Sequence, residues 1–111
     1  MFEAGTTTEH YAATLANGEV ITSNVPWRVT YVQALPDFRL SVRFIDGVSG
    51  FVEMREQIFG AAGGVFKMLR DPAVFSEVNA TEGHVAWANG LDLAPDAMHE
   101  EIEHNGVWIL R

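Results

Sequence analysis

VTYVQALPDFRLSVRFIDGVSGFVEM, residues 29–54, carries three β-strand signals in a row. Val29–Leu35 is β-branched and aromatic and stops at Pro36-Asp37. Arg39-Leu40-Ser41-Val42-Arg43-Phe44 alternates polar and apolar strictly, the pattern of a strand with one wet face. Asp46-Gly47 then turns the chain into Val48–Met54. Short connections join neighbours in antiparallel order, so the stretch reads as a three-stranded meander. Arg39 and Arg43 fall on the same face of the middle strand and make a small cationic spot.

Outward from this meander the turn residues continue the outline. Tyr11–Leu15 and Val20–Ser23 flank Asn17-Gly18, a strong hairpin signal, and Asn24-Val25-Pro26 closes that extension. Downstream the period lengthens: Met54 and Ile58 lie four apart, giving a short helix over Met54–Phe59 before a Gly60–Gly64 breaker. Val65, Met68 and Leu69 make a helical stripe ended at Asp71-Pro72, and Asp71 caps a further turn over Pro72–Phe75. Ser76–Thr81 and His84–Trp87 read as two more strands around Glu82-Gly83. Pro95–Glu103 reads as a helix with Ala94, Met98 and Ile102 on one stripe, and Gly106–Leu110 is an apolar tail fit for an edge strand or a partner contact.

The expected architecture is α+β: an antiparallel sheet of roughly five strands, built from the meander plus the N-terminal hairpin, with two or three short helices packed on one face. Residues 1–111 form one domain, divided into a hairpin extension (1–26), an α+β core (27–103) and a C-terminal tail (104–111). Leu40, Val42, Phe44, Phe66, Leu69, Phe75, Trp87, Leu93 and Met98 are the expected core. Trp27 also falls at an apolar position and groups with those rings as core rather than as a base-stacking platform.

Composition narrows the function classes. Seven Lys and Arg against fifteen Asp and Glu give a net charge of −8, a field that repels phosphate backbones. No direct nucleic-acid binding is expected; the charge serves solubility, attracts a basic partner, or mimics nucleic acid. With no cysteine there is neither a disulfide framework nor thiolate chemistry. No apolar run approaches the ~20 residues that cross a bilayer, and MFEAGTTTEHY lacks a secretory pattern, so a cytoplasmic protein without a membrane is expected.

Chemical motifs are sparse. Ser49 lies in Gly47–Phe51, GVSGF, in a hairpin arm rather than at a nucleophile elbow. The glycines at 60 and 63–64 open no phosphate cradle. His99 and His104 are five apart and diverge by ~140° on a helix, so no metal pair is expected there, and both read as solvated surface. His84, Trp87, Asn89 and Asp92 around the Asn89-Gly90 turn are the place for a ligand site if one exists. Asp96, Glu100, Glu101 and Glu103, with Trp108 in the tail, are the candidate interaction surface. Glu101 and Glu103 sit against the helix dipole there, where a partner would explain them.

Two runs, GGVFKMLRDPAVFSEV (63–78) and EGHVAWANGLDLAPDA (82–97), are dense in residues that set backbone geometry. With Trp27-Arg28-Val29-Thr30 and Leu40–Gly47, their Gly64-Val65-Phe66, Leu69-Arg70-Asp71-Pro72, Phe75, Val78 and Trp87–Leu93 elements make residues 27–102 resemble a widespread bacterial family, domain of unknown function 2442. The resemblance implies a small α+β fold. It also implies relatives that carry a helix-turn-helix after this unit, and others encoded beside a second small protein in an arrangement similar to toxin–antitoxin pairs. No catalytic or cofactor residues are established for that family, so none carries over. The N-terminal hairpin is an addition here, and the chain stops before a DNA-binding helix pair would fit.

The expectation that follows is a non-enzymatic protein-interaction or regulatory module, using no cofactor, whose partner is another protein, with a homodimer through edge strands as a further form. The alternatives are a transcription-linked regulator without its own helix-turn-helix, an acidic inhibitor mimicking nucleic acid, and a small ligand-binding domain or enzyme with its site near Asn89-Gly90.

Overall fold

The computed structural model describes residues 11–15, 17–60 and 64–111. The N-terminal residues 1–10 and most of the expected glycine-alanine breaker lie outside the described residues. β1 (Tyr11–Thr14) and β2 (Val20–Ser23) pair antiparallel around Asn17-Gly18, with Gly18 at φ +88° supplying the left-handed turn. The Asn17 side chain closes the turn by accepting from the Glu19 amide.

β3 (Val29–Leu35), β4 (Arg39–Phe44) and β5 (Ser49–Glu53) form the expected meander, and β6 (Val107–Ile109) adds beside β5. The fold is α+β, with two details the sequence did not foretell. The hairpin is its own two-stranded sheet, and β6 runs parallel to β5, making the main sheet mixed with order β3-β4-β5-β6. A parallel neighbour needs a long crossover, and residues 54–106 supply it with all the helices of the described residues.

One sheet face is covered. Leu40, Val42, Phe44 and Val52 point inward from β4 and β5 and meet Met54, Ile58, Leu69, Phe75, Val85, Trp87, Leu93, Met98 and Ile102. Of the expected core, all but Phe66 and Trp27 are buried; Phe66 packs half-buried against the rest. α1 (Arg55–Phe59) contributes Ile58, and α3 (Pro95–Asn105) contributes Met98, His99 and Ile102. Pro95 opens α3 at its first turn and Gly106, at φ +76°, closes it. Gly50 is required where α3 ends on the sheet, because a Cβ there would stand 2.4 Å from the Gly106 carbonyl oxygen and 2.6 Å from Ile102 Cγ2.

Four expectations are corrected. Gly64–Arg70 is a 3₁₀ helix, so its faces repeat every three residues: Phe66 and Leu69 turn inward while Val65 and Met68 stay exposed. Ser76–Thr81 and His84–Trp87 are not strands. Glu82 (φ 54°) and Gly83 (φ +87°) are both left-handed, which bends the chain so sharply that only isolated bridges form, Asn79 with Ala86 and Ala86 with Asp92. Trp27 is 39% exposed, because it precedes β3 instead of lying within the sheet. Ala94 is exposed as the N-cap of α3, ahead of the buried stripe. Asp71 caps α2 (Pro72–Phe75) as expected, accepting from the Ala73 amide.

Candidate functional site

The other face of the main sheet is open among the described residues. Alternation along the strands places Tyr31, Gln33, Arg39, Ser41, Arg43, Ser49, Phe51, Glu53 and Ile109 on it. Register sets them in rows: Tyr31 opposite Arg43 opposite Ser49, Ser41 opposite Phe51 opposite Val107, and Arg39 opposite Glu53 opposite Ile109. Tyr31, Phe51 and Ile109 are each at least 40% exposed.

Each exposed ring here is covered by a cation. The guanidinium of Arg43 lies 5.6 Å from the Tyr31 ring centre and that of Arg39 5.1 Å from Phe51. Where the sheet meets α1, Arg55 and Arg70 lie 5.3 and 5.4 Å from the Phe59 ring, and Arg70 Nε donates to the Ile58 carbonyl. The cationic spot expected from Arg39 and Arg43 is therefore a patterned ring-and-guanidinium surface. Strand spacing showed the two arginines together; their aromatic partners sit on neighbouring strands and emerge only with the register.

Two clefts open on this side. One, of about 470 Å³, lies among Asp37, Arg39, Glu53, Arg55, Glu56 and Phe59. Its charges are paired: Arg55 meets Asp37 at 2.9 Å and Arg39 meets Glu53 at 3.9 Å. The second, of about 350 Å³, lies among Tyr31, Ser41, Arg43, Ser49, Phe51 and Gly106. Its arginine, Arg43, has no carboxylate partner among the described residues.

The residues singled out around Asn89-Gly90 come together in part. His84 Nε2 and Asp92 Oδ2 are 3.6 Å apart at a partly exposed position. Trp87 is buried and donates its indole N–H to the Phe75 carbonyl at 2.9 Å, so the ring serves the core. Asn89 accepts from the Leu91 amide and shapes its own turn. Neither cleft includes these four residues.

The candidate acidic surface is spread along α3. Asp96, Glu100, Glu101 and Glu103 are all exposed, Asp96 accepting from the Ala97 amide and Glu101 from Asn105 Nδ2 at 3.4 Å. Trp108 lies apart from them, half-buried against the core from β6. His104 is exposed, and its Nδ1 donates to the Glu100 carbonyl at 2.8 Å. That bond, with Glu103, Glu100 and Glu101 nearby, holds its pKa above the ordinary histidine value.

His99 corrects the expectation of a solvated side chain. It is buried beside Met98 on the inner stripe of α3, edge-on to Phe44 at 4.8 Å, and donates through Nε2 to Asp46 Oδ2 at 2.8 Å. Asp46 in turn accepts from the Val48 amide, so one carboxylate holds both the β4–β5 turn and the helix. The two residues stand 53 positions apart, and no local spacing announces the pair.

Among the described residues no group of three or more His, Cys, Asp or Glu is placed to hold a metal ion, and no helix is long and apolar enough to cross a membrane. Neither a curated protein nor a solved structure shows significant similarity to the chain. A family model does match, over residues 29–104, from the first strand of the meander to the end of α3. The chain belongs to the family described as protein of unknown function (DUF2442).

Proposed function

We propose that this protein is a non-enzymatic, cytoplasmic interaction module whose docking surface for another protein is the open face of the β3–β6 sheet. One observation carries the reading: exposed Tyr31 and Phe51 stand on that face, each under an arginine guanidinium. Aromatic and arginine side chains dominate binding at protein interfaces, because they bring large contact area with a polar edge. Isolated exposed apolar residues need no explanation, whereas a grouped set on one face does. Sites for chemistry are less well supported, since the His84–Asp92 pair lies outside both clefts.

The partner in view is a second small protein, as in the two-gene arrangements that the family resemblance implies. The acidic flank of α3 remains available as a second contact, on a helix packed against the sheet's covered face.

A photo-crosslinking amino acid at Phe51, with another at Glu100 for comparison, tests this in the cells that make the protein. The expected result is a discrete protein adduct from position 51 that disappears when Tyr31 is changed to Ser. Adducts from position 100 alone would move the interface to α3, and none from either position would end the reading.

A further inference from the structure

We propose that Arg43, Ser41 and Ser49 form a receptor for a carboxylate carried by an extended, acidic segment of the partner protein. The inference rests on the docking face described above and adds the chemistry of what occupies it.

Arg43 is the cation of the open face that meets no carboxylate among the described residues. Carboxylates outnumber basic side chains fifteen to seven. Arg39, Arg55 and Arg111 each lie within 4 Å of one, at Glu53, Asp37 and Glu56. Arg43 has none among the described residues, as is also true of Arg28, Lys67 and Arg70. Of these, Arg43 is the one that lines the cleft of this face, with its guanidinium over the Tyr31 ring. A ring engages the flat face of a guanidinium and leaves its in-plane N–H donors for an acceptor. Tyr31 is itself held, its hydroxyl donating to Gln33 Oε1 at 2.6 Å.

Two more donors share the cleft. Ser49 is directly across from Arg43 in the β4–β5 register, and Ser41 is two residues along the same face of β4. Among the described residues neither hydroxyl makes a side-chain hydrogen bond, and both line the 350 Å³ cleft with Arg43. Guanidinium and hydroxyl donors around one pocket match the lone pairs of a carboxylate. Phe51 and Val107, in the adjoining row, offer apolar contact to the residues flanking that carboxylate.

A nucleic acid would also present anions, but it binds through many phosphates. Affinity then requires a track of unpaired cations. Here Arg39 and Arg55 already have carboxylate neighbours in Glu53 and Asp37, and the molecule carries −8 overall. On this face one arginine without a carboxylate, beside rings and hydroxyls, fits an acidic side chain flanked by apolar residues in an extended segment.

The test is an amide and arginine Nε–H nuclear magnetic resonance titration of the full chain. The probes are an acetylated, amidated Val-Glu-Val-Glu-Val peptide, its glutamine counterpart, and a thymidylate pentanucleotide. The acidic peptide should shift the Ser41, Arg43 and Ser49 signals and bind about tenfold more weakly to Arg43→Gln, as loss of a charge-assisted bond requires. Arg55→Gln, which removes a cation already paired with Asp37, should change its binding less than about twofold. Equal binding of the glutamine peptide, or indifference to Arg43→Gln, overturns the carboxylate receptor. If the shifts still map to Phe51 and Ile109, the docking face survives that result. Tighter binding of the thymidylate overturns both in favour of nucleic acid. No shift on the face with any probe overturns the receptor, and the crosslink at position 51 then judges the docking face by itself.

Discussion

The two faces of the β3–β6 sheet are cut from alternate residues of the same strands, yet they obey different demands. On the covered face Leu40, Val42, Phe44 and Val52 are at most 1% exposed and serve by volume alone. On the open face Arg39, Ser41, Arg43 and Phe51 serve by charge, donors and rings. A one-residue slip in pairing would exchange these sets, so the alternation that closes the core also decides what the molecule shows to others.

That contrast can be broken most sharply with a matched pair of truncations. Phe44→Ala removes a fully buried ring and should lower the unfolding free energy by ~3–5 kcal/mol. Tyr31→Ala, on the opposite face, should cost less than about 1 kcal/mol. Urea midpoints at constant slope read both, and similar losses would mean that the open face is structural. A smaller effect probes the fit of helix to sheet: Gly50→Ala forces a methyl against the Gly106 carbonyl and Ile102, a loss of ~1–3 kcal/mol in the same measurement. Little change there would show that α3 can shift outward without disturbing the covered face.

The smallest effect belongs to solvent. His104 has its pKa raised in the folded state, chiefly by its bond to the Glu100 carbonyl. Its protonated form thus stabilises the fold below the unfolded histidine pKa, and that contribution fades as pH rises through the higher folded value. A slight decline of stability across the upper histidine range, absent in His104→Gln, is the expected outcome.

Local signals in the sequence covered the outline and missed what needs long reach. Asn17-Gly18, Asp46-Gly47 and the alternation from Arg39 to Phe44 placed five strands, because turn chemistry and period act within a few residues. The 3₁₀ run at Gly64–Arg70 escaped, since a period of three and one of 3.6 differ little over two turns. The strands expected at 76–81 and 84–87 failed because a non-glycine residue, Glu82, adopts the left-handed region beside Gly83. At the candidate site the arginine pair was legible. The rings beneath it, and the His99–Asp46 clasp, depend on partners brought in from other elements by the fold.

The parallel placement of β6 sets an order of assembly. Its pairing with β5 joins Phe51 to Val107 and Glu53 to Ile109, so more than fifty residues must be in hand before that ladder forms. Loops of that size close slowly relative to the tight turns of the meander. During synthesis the outer edge of β5 therefore waits, unpaired, until residues 107–109, more than fifty positions downstream, have emerged from the ribosome. That edge is open to wrong strand partners in the interval, and seating β6 ends the exposure.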